Sequence, residues 1–439
     1  MATPFQIQIG PRDAGLLRMK LGEDEASKVS DLLQRDLENH HVFFNESGFH
    51  DHIIHHVLTL YGTGASTKDL QAAYDANKSY QLKAMKPKEE TVDKLEHGSD
   101  WSTFLGRGSN YPAFLRFFQN EIQRIGWREV LSEYLFKDDE RSRDMQSRLF
   151  GGLLHPLIQL LYAIEWEQPM LVAAALAQTA VHQNKLHEFL TRAAEKAATS
   201  PKMNTILGLF EDANKDEKLK PSAHWEDPQR IFDGVLGRAK DEMIDLAARV
   251  KVEENELEER TAEMMHTIAY VAIGAAIHPP NTPKFDFFIM HHVTSTPFFL
   301  SLNAKDWIPA STKARFLENK IRMDLLEYIA RGCPPLRGDE IRNYTPKDGN
   351  KLVDKPEELF PRFHKIVDDG HTVKLARALT LAQRVSKPFE DKEWARIKGD
   401  EAWLKAVYLL LDGNENAETM WVRAAGFDDA WEEIPRAKM

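Results

Sequence analysis

The chain is nearly without cysteine. Its 439 residues hold one, Cys333, between Gly332 and Pro334. One thiol forms no internal disulfide, so the sequence points to a reducing compartment, the cytoplasm. It also excludes cysteine-built zinc and iron–sulfur centres. Positive charge is in deficit: 57 Lys and Arg face 68 Asp and Glu, for a formal net charge of -11. That balance argues against nucleic acid or an anionic membrane as a main partner. No apolar run approaches the ~18 residues of a membrane span. The longest, around residues 285–300, is broken by His291, His292, Thr294, Ser295 and Pro297. No basic region followed by an apolar stretch opens the chain, so no signal peptide is expected. The Gly-rich turn Gly106-Arg107-Gly108-Ser109-Asn110 lacks the Lys-Ser/Thr of a phosphate loop and the third glycine of a dinucleotide fingerprint. Period-two runs and fixed-period repeats are almost absent.

What remains is helical periodicity. The spacing predicts an all-α architecture, a large bundle of a dozen or more helices. We read residues 1–439 as a single large domain, with a lead-in over 1–40 and a core of about 40–412. Lys83–Asp100 reads as loop and Ala197–Asp227 as a polar connector.

Histidine is abundant, 17 in all, and clustered. Four apolar segments carry it. In His52-Ile53-Ile54-His55-His56 the pairs three and four apart share a helix face, so any of them could chelate a metal. His155-Pro156 opens an apolar helix that also carries Gln159 and Tyr162. His291-His292 follows Phe287-Phe288-Ile289-Met290, where a buried imidazole needs a partner. Asp368-Asp369-Gly370-His371 starts a further helix, on which His371, Lys374 and Arg377 share one side. Those three are either a solvated polar stripe or the wall of an internal polar site. Convergence of the four segments would build a metal centre buried between helices, suited to iron, copper, zinc or nickel. Glu263/His266 and Glu38/His41 have the spacing of a di-iron bundle and form a weaker competitor. A lysine ammonium beside a cation would be repelled. Lys374 therefore either points away, is deprotonated, or reacts with carbon dioxide to give an anionic carbamate.

These residues resemble the questin oxidase-like family of fungal polyketide-tailoring oxygenases. The resemblance runs from His52-Ile-Ile-His55-His56 through Leu154-His155-Pro156 and Phe288-Ile-Met-His291 to Asp369-Gly370-His371-Thr-Val-Lys374, with Arg377 beyond. It implies oxidation of an anthraquinone or related aromatic polyketide, with O2 as co-substrate. It also implies non-haem iron held by His155, His291, His371 and a carboxylated Lys374, with His55 or His56 as the remaining imidazole. Lys374 and Arg377 are then the catalytic candidates. The missing Gly-rich βαβ start fits a flavin-independent enzyme. The leading expectation is an iron dioxygenase that cleaves the anthraquinone ring. The alternative is an NADPH-assisted Baeyer–Villiger-type oxidase, and a non-catalytic helical binder of a hydrophobic ligand is a third reading.

Overall fold

The computed structural model describes residues 1–45, 47–98 and 101–437. Among these are twenty α-helices, and the only β-type pairing is isolated bridges. The all-α class read from the periodicity is what the chain adopts. The principal helices are α1 (Glu23–Asn39), α2 (Ile53–Gly62), α3 (Thr67–Asn77), α4 (Tyr111–Ile125), α5 (His155–Glu165), α6 (Pro169–Val181), α7 (Leu257–Ala276), α8 (Phe287–Thr294), α9 (Ala310–Ala330), α10 (His371–Ser386) and α11 (Asp400–Asn414).

Two expected loops contain helices. Within Lys83–Asp100 the segment Glu89–His97 is helical, with Glu89 and Glu90 in its first turn and Val92 and Leu95 buried. Ser99 and Asp100 lie outside the described residues. Within Ala197–Asp227, Ile206–Lys215 is helical. Thr205 caps it by accepting from the Gly208 N–H at 3.0 Å. The first buries only Val92 and Leu95, and the second buries Ile206, Leu207, Leu209, Phe210 and Ala213 inside a polar stretch whose charge hid them from a composition reading.

The chain forms two compact units that interleave along the sequence. The first comprises residues 1–187, 300–308 and 360–374, and the second residues 188–299, 309–359 and 375–439. In the first unit the lead-in is tied down: the N–H of Ile7 donates to Gln34 at 2.8 Å and that of Ile9 to Ser30 at 2.9 Å, both on α1. Its centre is the pair α5 and α6, with α4 against α6 and α2 against α5. Every residue of α2 and α6 is buried, and so are ten of the eleven in α5. Proline stands at the start of both α5 and α6, where the missing N–H costs nothing. Burying each Leu or Ile of such helices contributes roughly 1.5–3 kcal/mol. The histidines of α2 and α5 are therefore held by a dry, close-packed scaffold.

In the second unit α7, α8 and α9 pack on one another. Asp286 caps α8, accepting from the N–H groups of Phe288 and Ile289 at 2.8 and 2.9 Å. No helix among the described residues is long and apolar enough to cross a membrane.

Candidate functional site

Three histidines from three segments of the first unit meet. Potential ligand nitrogens of His52, His155 and His371 lie within 4.8 Å of one another, and all three side chains are buried. Each is aimed by its own local device. Asp51 accepts from the Ile53 N–H at 2.9 Å and starts α2 there, which leaves His52 as the cap residue at the helix mouth. His155 opens α5 behind a left-handed stretch: Gly152, Leu153 and Leu154 have φ of 54°, 54° and 64°. Leucine rarely enters that region, at a cost of roughly 1–2 kcal/mol per residue. His371 opens α10 after Gly370, whose φ is 89°. A Cβ at Gly370 would stand 2.5 Å from Cγ of His56, so only glycine fits there.

The outer nitrogens are all turned toward acceptors. Nδ1 of His155 donates to the Gly152 carbonyl at 2.7 Å. Nδ1 of His371 makes a short hydrogen bond to Oδ1 of Asp369. Nδ1 of His52 lies 3.4 Å from Oδ2 of the same carboxylate, too long for a formed hydrogen bond, and it has no other partner. A carbonyl or carboxylate only accepts, so on His155 and His371 the proton belongs on Nδ1 and the lone pair on Nε2. Nε2 of His52 and Nε2 of His155 stand 2.8 Å apart. With the His155 proton on Nδ1, the hydrogen between these two nitrogens belongs to His52 Nε2, and it occupies the place an ion bound by both rings would take. Imidazoles anchored at one nitrogen and offered at the other are the outer-shell arrangement of metal-bound histidine. The donor set fits a transition metal.

Electrostatics agree. Burial pushes His52 and His55 well below the ordinary histidine range, and the Lys374 ammonium adds to the effect. His155 is pushed down to about 3, chiefly by burial. Lys374 itself is buried, and desolvation lowers it to about 8 against the opposing pull of Asp369 and Asp368. The imidazoles are thus neutral, as ligands must be.

The geometry brings His52 into the cluster, where the sequence offered His55 or His56. Nε2 of His55 is spent on Gln159 Oε1 at 2.7 Å, and its ring stacks on Tyr162 at 5.4 Å. His56 turns toward Gly370 and Asp368 and is lowered to about 4 by burial. His155 and His371 fall where the spacing put them. Arg377 is buried on α10 three residues beyond Lys374. In the second unit, His291 is buried on α8 with Nδ1 on the Phe287 carbonyl at 2.6 Å. Its neighbour His292 is structural: Asp324 accepts from its Nδ1 at 2.6 Å, and Asp324 and Glu327 raise its pKa against burial. The di-iron competitor is absent at both positions. Nε2 of His266 accepts from the N–H groups of Arg396 and Ile397, while Glu263 is held by Ile206 and Arg260. Glu38 pairs with Gln34 and His41 with Phe43.

A second imidazole layer went unread in the sequence. His50 stacks on His155 with ring centres 4.1 Å apart and planes within 6°, and its Nε2 meets Nε2 of His182 at 2.9 Å. Because Nδ1 of His182 donates to the Gln178 carbonyl, His50 is the donor in that pair. A Cβ on Gly152 would lie 2.3 Å from Nε2 of His182. The pairing of His50 with His182 spans 132 residues, and no local spacing encodes it.

The buried neutral histidines set a pH dependence. Their folded pKa values lie below the unfolded value, so their stability contribution is full above about pH 6.5 and falls as acid approaches their folded values. His155 near 3, His56 near 4 and His364 near 4, with His52 and His55 lowered as well, act this way. Asp36, raised to about 7, and Asp51, raised well above its ordinary value, pull the other way but are fewer. The denaturation midpoint should therefore drop between pH 7 and pH 5; an unchanged midpoint would contradict neutral burial of the cluster.

The chain is similar to known proteins along most of its length. The questin oxidase-like family matches residues 49–379, three quarters of the chain. "Oxidoreductase AflY" of Aspergillus parasiticus is 37% identical over 431 residues, covering 96% of this chain and 86% of that protein. "Baeyer-Villiger oxidase AgnL3" of Paecilomyces divaricatus is 33% identical, covering 100% of this chain and 97% of its own. "Questin oxidase" of Aspergillus fumigatus is 34% identical, with 99% and 100% covered.

Proposed function

The chain belongs to the questin oxidase-like family, and we propose that it is an oxygenase carrying out Baeyer–Villiger-type oxidation of an anthraquinone-type aromatic polyketide. The observation that carries this reading is the full-length similarity to proteins named Baeyer–Villiger oxidase. The names oxidase and oxidoreductase favour an enzyme over a passive binder of a hydrophobic ligand. The convergent cluster supports a metal-assisted, flavin-free route, with His52, His155 and His371 as proposed iron ligands and His291 added by its motif. Iron, when bound, supplies O2 activation and charge stabilisation.

The protein's own groups have separable tasks. The Nδ1 hydrogen bonds of His155 and His371 fix two ring planes before any ion or substrate arrives. The apolar packing of α2 and α5 keeps water from the donors, which strengthens every interaction there. Lys374, brought down to about 8, offers an appreciable neutral fraction near neutral pH. We propose that this amine is carboxylated, giving the all-imidazole site an anionic oxygen ligand, with Arg377 as the donor to its second oxygen. Lys374→Ala should then lower turnover by about a hundredfold or more, the scale of a lost site group, while Lys374→Glu retains part of the metal. Equal metal content in the wild type and Lys374→Ala would remove the carbamate from the reading.

Oxygen bookkeeping tests the reaction class. Baeyer–Villiger insertion places one atom of O2 between a carbonyl carbon and its neighbour and sends the other to water, with two electrons from NADPH. Labelled O2 should leave one labelled atom in the product for each NADPH consumed. Two labelled atoms with no NADPH consumed would replace this reading by ring cleavage by an iron dioxygenase, which the histidine cluster serves equally well.

A further inference from the structure

Two adjacent carboxylates precede α10, and they divide the work. Asp368 does the capping: its Oδ1 accepts from the Gly370 N–H at 2.7 Å and its Oδ2 from the Thr372 N–H at 2.8 Å. Its backbone carbonyl also accepts from Asn77 on α3. The helix start is thereby satisfied without Asp369. Oδ1 of Asp369 goes to Nδ1 of His371 instead, and Oδ2 faces Nδ1 of His52 at 3.4 Å without a formed hydrogen bond. The two rings lie 4.6 Å apart at 62°, so one carboxylate straddles imidazoles from segments more than three hundred residues apart in sequence.

From this geometry we infer that Asp369 is a positioning residue that orients the donor atoms of two metal-ligating imidazoles at once. The inference rests on the metal reading above and deepens it. A carboxylate has no proton to give, so Nδ1 of His371 carries hydrogen and its Nε2 is left as a donor to the ion, while an ion replacing the hydrogen between His52 and His155 turns the His52 proton to the Nδ1 that faces Oδ2 of Asp369. Its negative charge also makes both imidazoles better donors. An aspartate needed only for the turn would have no reason to bond one ring and face a second. Because the side chain is 32% exposed, its replacement does not bury an unpaired group in the core.

The test uses the full-length protein, with Co(II) as the probe. Cobalt affinity is measured by competition with a chelator, and the visible absorption of the loaded protein reports its coordination. Asp369→Asn keeps the shape, but its amide presents an N–H group to one of the two Nδ1–H donors. The expected result is a 10- to 100-fold loss of cobalt affinity, the usual scale for outer-shell partners, with a shifted absorption band. Asp369→Glu should recover most of that affinity. Wild-type affinity in Asp369→Asn would overturn the inference, as would a loss that Asp369→Glu does not repair. A wild-type protein that takes up no cobalt would instead overturn the metal reading itself, an outcome distinct from any behaviour of the variants.

Discussion

His155→Ala should lose roughly a thousandfold or more in turnover and most of its bound metal while remaining folded, the pattern of a residue that acts as part of a unit. His155 is the hub: its Nε2 faces His52, its Nδ1 holds the Gly152 carbonyl, and its ring carries the stack of His50. Truncation removes that side-chain hydrogen bond, at about 0.5–1.5 kcal/mol, while the backbone N–H of residue 155 still reaches the carbonyl. Part of any loss could therefore come from stability, and His155→Gln separates the two. Glutamine can still donate to Gly152 but offers a poorer metal ligand, so it should restore the unfolding midpoint without restoring metal. Metal analysis and denaturation on the same preparations decide the matter. Full metal and near-full activity in His155→Ala would exclude the cluster as the reaction centre.

The second large effect concerns backbone. Gly370→Ala should destabilise the protein by about 3 kcal/mol, combining left-handed strain of about 1–2 with overpacking of about 1–3. The added methyl meets Cγ, Cβ and Cδ2 of His56 at 2.5, 2.6 and 2.8 Å, and His56 is buried without room to yield. Either α10 withdraws, carrying Asp369 and His371 with it, or α2 shifts together with His52. Metal affinity and stability should fall in step. A variant with the wild-type midpoint would show that the left-handed turn is not required.

Much of this was legible in residue spacing. The all-α class followed from apolar residues at helical intervals, and Pro156 marked His155 as the start of a buried helix. His371 and Lys374 fell on one face because three residues separate them. The choice among His52, His55 and His56 was not legible, because the phase of α2 depends on where it begins. Asp51 accepts from the first helical N–H, that of Ile53, with His52 at the mouth and His56 packed against Gly370. The roles of His50, His182 and Asp369 were hidden for a different reason. Each is defined by contact with a residue more than a hundred positions away, and local periodicity carries no trace of such pairings.

The first unit closes on itself late. Its body ends at residue 187, but the segment bearing Asp369 and His371 is not reached until 360–374. At a synthesis rate of about 5–20 residues per second, the ribosome needs roughly ten seconds or more to travel from His155 to His371. During that interval the nascent chain holds His52 and His155 without their third partner and without the carboxylate. Capture of the proposed ion would therefore wait for nearly complete translation, and a chain released early carries only a half-built cluster.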